Sequence, residues 1–217
     1  MGLLGMFFLI IAANLDNFGV GLSLGARRIY VPFVSNLLIA LTTSLGTLCT
    51  LLVGKWLAGF FPLQLARCIG SLIIIGMGIW VLYQESAKVR REAATVSPGK
   101  RVPDKVSVPE EGAFQRLKNL LAVPSLADTD YSGHIDVKEA LFLGSALTLN
   151  NFAGGFGAGI FGLNPVLTSC GMVLFSLLLL WAGIRFGQNG LSRWLGNVAG
   201  PLSGLLLVFL GVCGIFI

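Results

Sequence analysis

Two stretches lying 134 positions apart in this 217-residue chain nearly match, and both sit within apolar runs long enough to cross a bilayer as helix. Ala12–Gly25 reads A-A-N-L-D-N-F-G-V-G-L-S-L-G, and Ala146–Gly159 reads A-L-T-L-N-N-F-A-G-G-F-G-A-G. The shared residues are Ala12/Ala146, Leu15/Leu149, Asn17/Asn151, Phe18/Phe152, Gly21/Gly155 and Gly25/Gly159, and Asp16 falls opposite Asn150. The chain therefore reads as two copies of one unit, with a carboxylate and an amide at equivalent depths. Polar groups at such depth are costly in lipid and by default point to a pathway for something polar.

Helices are expected at about 3–25, 33–60, 63–84, 139–162, 165–187 and 197–217, separated by Pro32, Pro62, Asn164-Pro165, Gly190–Arg193 and Gly200-Pro201. Three helices per unit is an odd number, so the second copy must enter the membrane from the opposite face. The expected fold is an all-α polytopic membrane protein whose six transmembrane helices form two inverted three-helix repeats. The repeats occupy residues 1–84 and 139–217. A charged linker, 85–138, lies between them and carries a distinctive loop at 128–139.

Charge distribution supports this division. Of 25 charged residues, 18 lie between Glu85 and Glu139, so the +5 balance is no nucleic-acid footprint. Nucleic acid is excluded as a partner, and the lipid bilayer and divalent metal ions are expected in its place; a homo-oligomer is allowed. Arg27, Arg28, the linker and Arg185 and Arg193 share one face, whereas the other has Lys55 and Arg67. The positive-inside rule puts the basic face in the cytoplasm of a multi-pass cell-membrane protein, leaving both termini outside. The first residues lack the basic start of a cleavable signal peptide. Cys49, Cys68, Cys170 and Cys213 stand alone in apolar helices and read as packing residues.

Asp16 lies about 14 residues from the outer end of helix 1, or ~21 Å at 1.5 Å per residue, near mid-bilayer. No Lys, Arg or His occurs at that depth, so the carboxylate needs a cation, a proton or a neutral hydrogen-bonding partner. Asn14, Asn17, Asn150 and Asn151 offer carbonyl oxygens, and Thr148 a hydroxyl. Oxygen donors with one acid suit hard divalent ions such as Mg²⁺, Ca²⁺ or Mn²⁺. The same residues could instead tie helices 1 and 4 together by hydrogen bonds. The paired small-residue motifs, Gly21-x-x-x-Gly25 and Gly155-x-x-x-Gly159, read as ordinary close packing of membrane helices; if helices 1 and 4 cross there, Asp16 and Asn150 come within reach of one ion.

The segment Asp128-Thr129-Asp130-Tyr131-Ser132-Gly133-His134-Ile135-Asp136-Val137-Lys138-Glu139 fits an EF-hand loop. Asp128, Asp130 and Ser132 take positions 1, 3 and 5, Gly133 the turn at 6, and the His134 carbonyl position 7. Ile135 fills the apolar position 8, Asp136 takes 9, and Glu139 is the bidentate ligand at 12. Ca²⁺ is the expected cofactor; an acidic turn capping helix 4 is the alternative. Pro124 interrupts the helix expected to lead in, and no second such loop occurs to pair with this one. The residues from Ser86 to Glu111, with Pro98, Pro103 and Pro109, read as a solvated linker, and Phe114–Val123 as a short helix.

Three segments, N-L-D-N-F-G-V-G, A-D-T-D-Y-S-G-H-I-D-V-K-E-A and L-T-L-N-N-F-A-G-G, resemble those of the YtaF-type sporulation membrane proteins. These are relatives of the MntP manganese efflux pumps in the LysE-type exporter superfamily. The resemblance implies a six-helix inverted repeat and export of a divalent cation, Mn²⁺ or another. The first-repeat acid of the pumps matches Asp16, while their second-repeat acid matches Asn150, an amide here. Helix 2 lacks the further buried acids of the pumps, with only hydroxyls in Ala40–Ser44. A non-transporting scaffold or Ca²⁺ sensor is the competing function. An enzyme is not expected, since one loop histidine allows no Ser–His or Cys–His arrangement in the membrane.

Overall fold

The structure, a computed structural model, describes residues 3–94, 124–189 and 192–216. It contains α1 (Leu3–Ala26), α2 (Phe33–Ala58), α3 (Leu63–Ala94), a 3₁₀ turn at Pro124–Ala127, α4 (Val137–Phe161), α5 (Pro165–Gln188) and α6 (Ser192–Phe216). The Pro-rich part of the linker and the short helix expected at Phe114–Val123 lie outside the described residues.

Most helix limits follow local chemistry. Pro165 occupies the first turn of α5, where its missing N–H costs nothing, and Asn164 Oδ1 accepts from Val166 N (3.1 Å) and Leu167 N (3.2 Å). Gly162, at φ +93°, ends α4 in a left-handed cap. Two limits differ from expectation. Helix α3 continues ten residues past 84, because Glu85–Ala94 is mostly Glu, Ala, Lys and Arg, with Ser86 and Val89 the exceptions, and has no Gly or Pro to stop it. Helix α6 starts at Ser192 and runs through Pro201, which does not break it; Ser203 Oγ donates to the Gly200 carbonyl beside the proline (2.9 Å).

Five helices contain stretches long and apolar enough to span a membrane: Gly5–Ala26, Phe33–Ala58, Gln64–Gln84, Pro165–Gln188 and Val198–Ile215. Helix α4, at 25 residues, is long enough at roughly 37 Å. Its apolar character is diluted by Thr148, Asn150 and Asn151, and packing against α2 and α3 encloses it. The bundle's outer surface is apolar, with Phe33, Leu45, Leu72, Leu174, Leu178 and Leu205 exposed, as lipid requires. Three of the cysteines, Cys49, Cys68 and Cys170, are on this surface and free, so they are not the packing residues expected from their apolar surroundings.

The principal helix contacts run α1–α5–α2–α4–α3–α6 and back to α1, a closed ring in which each helix touches two neighbours. Four of these six contacts join successive or alternate members of opposite halves, and the remaining two, α2·α5 and α3·α6, join equivalent helices. No principal contact joins two helices of the same half. Exchanging α1 with α4, α2 with α5 and α3 with α6 leaves the ring unchanged.

Individual contacts obey the same exchange. A Cβ at Gly25 would lie 2.9 Å from Ile184 Cα; at Gly159, shifted by 134, it would lie 2.9 Å from Leu51 Cα, which is 133 before Ile184. Gly78 abuts Gly204 and Val208, and Gly211 abuts the equivalent Ser71 and Ile75. Asn36 Nδ2 donates to Leu177 O (3.2 Å), and Ser44 Oγ to Ser169 O (2.7 Å), the exchanged pair of positions, with α2 the donor in both. The fold is two inverted three-helix repeats related by a pseudo-two-fold axis in the membrane plane.

The small-residue motifs do not join α1 to α4 as expected. Gly21 and Gly25 seat against Leu180, Gly183 and Ile184 of α5; Gly155 and Gly159 seat against Thr47, Thr50 and Leu51 of α2. The small residues serve the ring's neighbouring contacts, which leaves α1 and α4 facing each other across its middle.

Candidate functional site

Two apolar cores lie toward opposite ends of the bundle. One contains Val20, Leu24, Ile39, Ile135, Leu143 and Leu147, the other Leu9, Ala12, Leu51, Ala158, Phe161 and Leu207. Between them runs a polar layer built from the two matched segments. At its centre Asn150 Nδ2 donates to Asp16 Oδ2 at 3.0 Å, linking α1 to α4, while the Asn17 N–H donates to Asp16 Oδ1 at 2.7 Å. Residues 16 and 150 are exchange partners, so this one bond maps onto itself and lies on the pseudo-two-fold axis. Both residues are half-buried. Among the described residues, every Lys, Arg and His lies toward a helix end or in a connection, so the carboxylate has no basic neighbour within the layer.

Asn14 and Asn17 are fully buried but turned toward α5. A residue two positions before Asp16 lies about 200° around the helix, which explains the divergence. Asn14 Nδ2 donates to Ile10 O (2.8 Å) and contacts Met172 Sδ (3.1 Å); Asn17 Nδ2 donates to Asn14 Oδ1 (2.9 Å) and Ser176 Oγ (2.8 Å). The Asn17 Oδ1 atom is buried without a partner. In the second half, Thr148 Oγ1 donates to its own helix at Gly144 O (2.9 Å) and reaches Thr42 O (3.3 Å), and Asn151 Nδ2 is buried without a partner. The structure thus brings Asp16 and Asn150 together and distributes the other polar residues over the α1·α5 and α2·α4 contacts. Met172 and Ser176 escaped the sequence reading. Their one available signal was the spacing of Thr168, Ser169, Met172 and Ser176 along one side of an otherwise apolar helix.

The loop before α4 folds around its carboxylates. Oxygens of Asp128, Asp130 and Glu139 all lie within 4.8 Å of one another, and Asp128 and Glu139 are largely buried. Asp128 accepts the N–H groups of Ser132 and Gly133, both at 3.0 Å, and Gly133 takes φ +77° at the turn. Ser132 lies beside Asp130, and its side chain together with its N–H, 3.0 Å from Asp130 Oδ1, holds the exposed Asp130 carboxyl below the usual carboxylate range; the Ser132 hydroxyl is also 3.1 Å from His134 O. Glu139 Oε1 accepts from Thr129 N (2.6 Å) and Thr129 Oγ1 (2.7 Å), and its Oε2 accepts from Asp136 N (3.1 Å), as in a capping box. Asp136 instead pairs with His134 Nε2 at 3.1 Å, outside the three-carboxylate group.

A second loop does pair with this one, although it is no EF-hand. Tyr30, in the α1–α2 connection, donates its N–H to Gly133 O (2.8 Å) and accepts from Ile135 N (2.9 Å). Ser35 Oγ, at the start of α2, donates to Ile135 O (2.6 Å), and the Ile135 side chain is wholly buried. Tyr30 acts through its backbone, so no side-chain pattern could have announced it.

The chain is similar along nearly its whole length to two bacterial proteins and over part of it to others. A Bacillus subtilis (strain 168) protein named a probable sporulation protein, YtaF, is 33% identical over 222 residues, covering 98% of this chain and 99% of that protein. A Bacillus pumilus protein named for manganese efflux, MntP, is 24% identical across 97% of this chain and 93% of its own length. A Geobacillus kaustophilus MntP is 32% identical over 77 residues, 36% of this chain and 42% of that protein. No family model matches the chain, and no solved structure does.

Proposed function

We propose, from the premise that the chain belongs to the family of the YtaF sporulation protein, that it is a secondary transporter exporting a divalent cation, of manganese type or calcium, through the centre of its helix ring. The observation that carries this reading is the Asp16–Asn150 bond on the pseudo-two-fold axis. A carboxylate at mid-membrane with no basic neighbour requires a compensating positive charge, and the axis is the one place equally related to both faces. Asp16 is the principal ligand. Asn150 completes it by turning its amide, so that the carbonyl that faces away from the carboxylate now faces the ion. Asn17, whose Oδ1 already lacks a donor, is the next carbonyl along the path. Asn14, Asn151 and Thr148 line the flanking contacts. The similarity to a protein named for manganese efflux supports the same reading.

The loop Asp128–Glu139 is proposed to bind Ca²⁺ on the cytoplasmic side, with both termini outside the cell. The donor set fits a hard cation: three carboxylates already converge, and oxygens of Ser132 and His134 O stand beside them. Asp136 joins on leaving His134. Ca²⁺ sensing without transport is a second reading, favoured by the bridge from this loop to Tyr30 and Ser35, which ties it to two further helices.

Flux separates the two. Purified protein in liposomes is expected to move Mn²⁺, with Asp16→Asn reducing the rate at least tenfold while Ca²⁺ binding at the loop is retained. Metal binding at the loop with no flux for the unaltered protein would refute transport and leave the sensor. Isothermal titration with Ca²⁺ is expected to give heat that Glu139→Ala removes; equal heats would discard the loop site.

A further inference from the structure

The position of the Asp16–Asn150 bond limits the charge that this site can carry. An exchange axis relates residue 16 to residue 150, so an acid at both positions would set two carboxylates face to face at hydrogen-bonding separation. This chain has an acid at one and an amide at the other, 3.0 Å apart. Within the described spans, no other Asp or Glu reaches the polar layer: Glu139 lies in the first turn of α4, eleven residues before Asn150. The remaining groups there, Asn14, Asn17, Asn151, Thr43, Ser44 and Ser176, are neutral, and α5 and α6 add no charged side chain at that level. The layer has a single formal negative charge.

Resting on the transport reading above, we infer that the counter-ion exchanged for each exported divalent cation bears one positive charge, so that every cycle moves one net positive charge outward. In the half-cycle that returns the site, one monovalent cation neutralises the lone carboxylate. A second has no carboxylate to bind, because the axis holds one Asp16–Asn150 pair and so one ion position, whereas both charges of a divalent ion share that position. In the exporting half-cycle the divalent ion leaves one excess positive charge, which the neutral carbonyl and hydroxyl oxygens of the layer must solvate. The ledger balances as one divalent ion out and one monovalent ion in. Two facing carboxylates would instead exchange two monovalent ions for each divalent ion and move no net charge. Asn150 is therefore the residue that makes the exchange sensitive to voltage.

The test is the equilibrium distribution of Mn²⁺ across liposomes holding the purified protein, with the potential clamped by a K⁺ gradient and valinomycin. Parallel runs impose Na⁺ or pH gradients to identify the monovalent ion. One net charge shifts the distribution ratio about tenfold for each ~59 mV. A tenfold shift per that interval supports the inference. No shift, meaning electroneutral exchange, overturns it, and so does a hundredfold shift, meaning that the divalent ion travels alone. Each of these outcomes retains transport, whereas absence of any Mn²⁺ movement refutes the transport reading itself. Asn150→Asp, which supplies the second carboxylate, is expected to flatten the voltage dependence. The measurement on the unaltered chain decides the matter even where that variant does not fold.

Discussion

Glycine contacts give the sharpest handle on the ring, because the same substitution can be made at crowded and open positions of one helix. A Cβ at Gly159 would lie 2.9 Å from both the carbonyl carbon and Cα of Leu51, with the Leu51 carbonyl oxygen closer still. Ordinary contact begins at 3.4 Å, so α4 and α2 must part by at least about 0.5 Å. The neighbour is backbone, which cannot rotate away as a side chain could. At Gly154, five residues earlier on α4, nothing lies within 4 Å of the same atom. Both Gly159→Ala and Gly154→Ala gain the helix propensity of alanine, roughly 0.8–1 kcal/mol, so the difference between them isolates packing. That difference is expected to be about 1–3 kcal/mol, equivalent to roughly 2–12 °C in Tm at this chain length. Thermal unfolding in a single detergent, followed by tryptophan fluorescence, measures it. The two-fold exchange adds a second requirement: Gly25→Ala, the equivalent crowded site, should behave as Gly159→Ala does. If Gly159→Ala proved as stable as Gly154→Ala, the α2·α4 contact and the exchange built on it would both be wrong.

Three further outcomes are expected. Tyr30→Pro removes the N–H given to Gly133 and should destabilise the loop by about 1 kcal/mol, with Tyr30→Ala nearly neutral; hydrogen exchange at Ile135 would report both, and equal protection in the two variants would argue against the bridge. Asp130 has a carboxyl held below its ordinary range, so its contribution to loop order is present above the unfolded value and is lost as pH falls through the lower, folded one. Carboxyl NMR shifts should therefore show Asp130 titrating at lower pH than a free aspartate, and Ser132→Ala should move it back up. Thermal unfolding of Asp16→Asn should match that of the unaltered protein to within about 1 kcal/mol, because the amide still meets Asn150; a large loss of stability would mean that Asp16 serves the fold first.

The fold was legible because its period is coarse. Six apolar runs, prolines at 32, 62 and 165, and the match of Ala12–Gly25 to Ala146–Gly159 were enough for an inverted pair of three-helix units. The Asp16–Asn150 meeting was expected from a glycine-mediated crossing of helices 1 and 4; the two residues do meet, but the glycines serve other contacts. What could not be read was which helices the glycines bring together. Gly21, Gly25, Gly155 and Gly159 mark a close approach without naming the partner, and the natural guess, α1 against α4, is a pair that meets at Asp16 and Asn150 and not through these glycines. Asn14 and Asn17 were grouped with Asp16 by proximity in sequence, although helical rotation turns them to α5. Helix ends failed where a rule had a local exception, at the charged extension of α3 and at Pro201. Tyr30 was out of reach because its contribution is made by main-chain atoms that every residue possesses.

Because every principal contact in the ring joins one half to the other, α1, α2 and α3 have little to hold each other when they first enter the bilayer. Their glycine grooves face lipid until α4, α5 and α6 arrive to fill them. Assembly is thus a late, all-at-once event in which two loosely gathered triplets interleave, and the polar layer is shielded only when the last helix closes the circle.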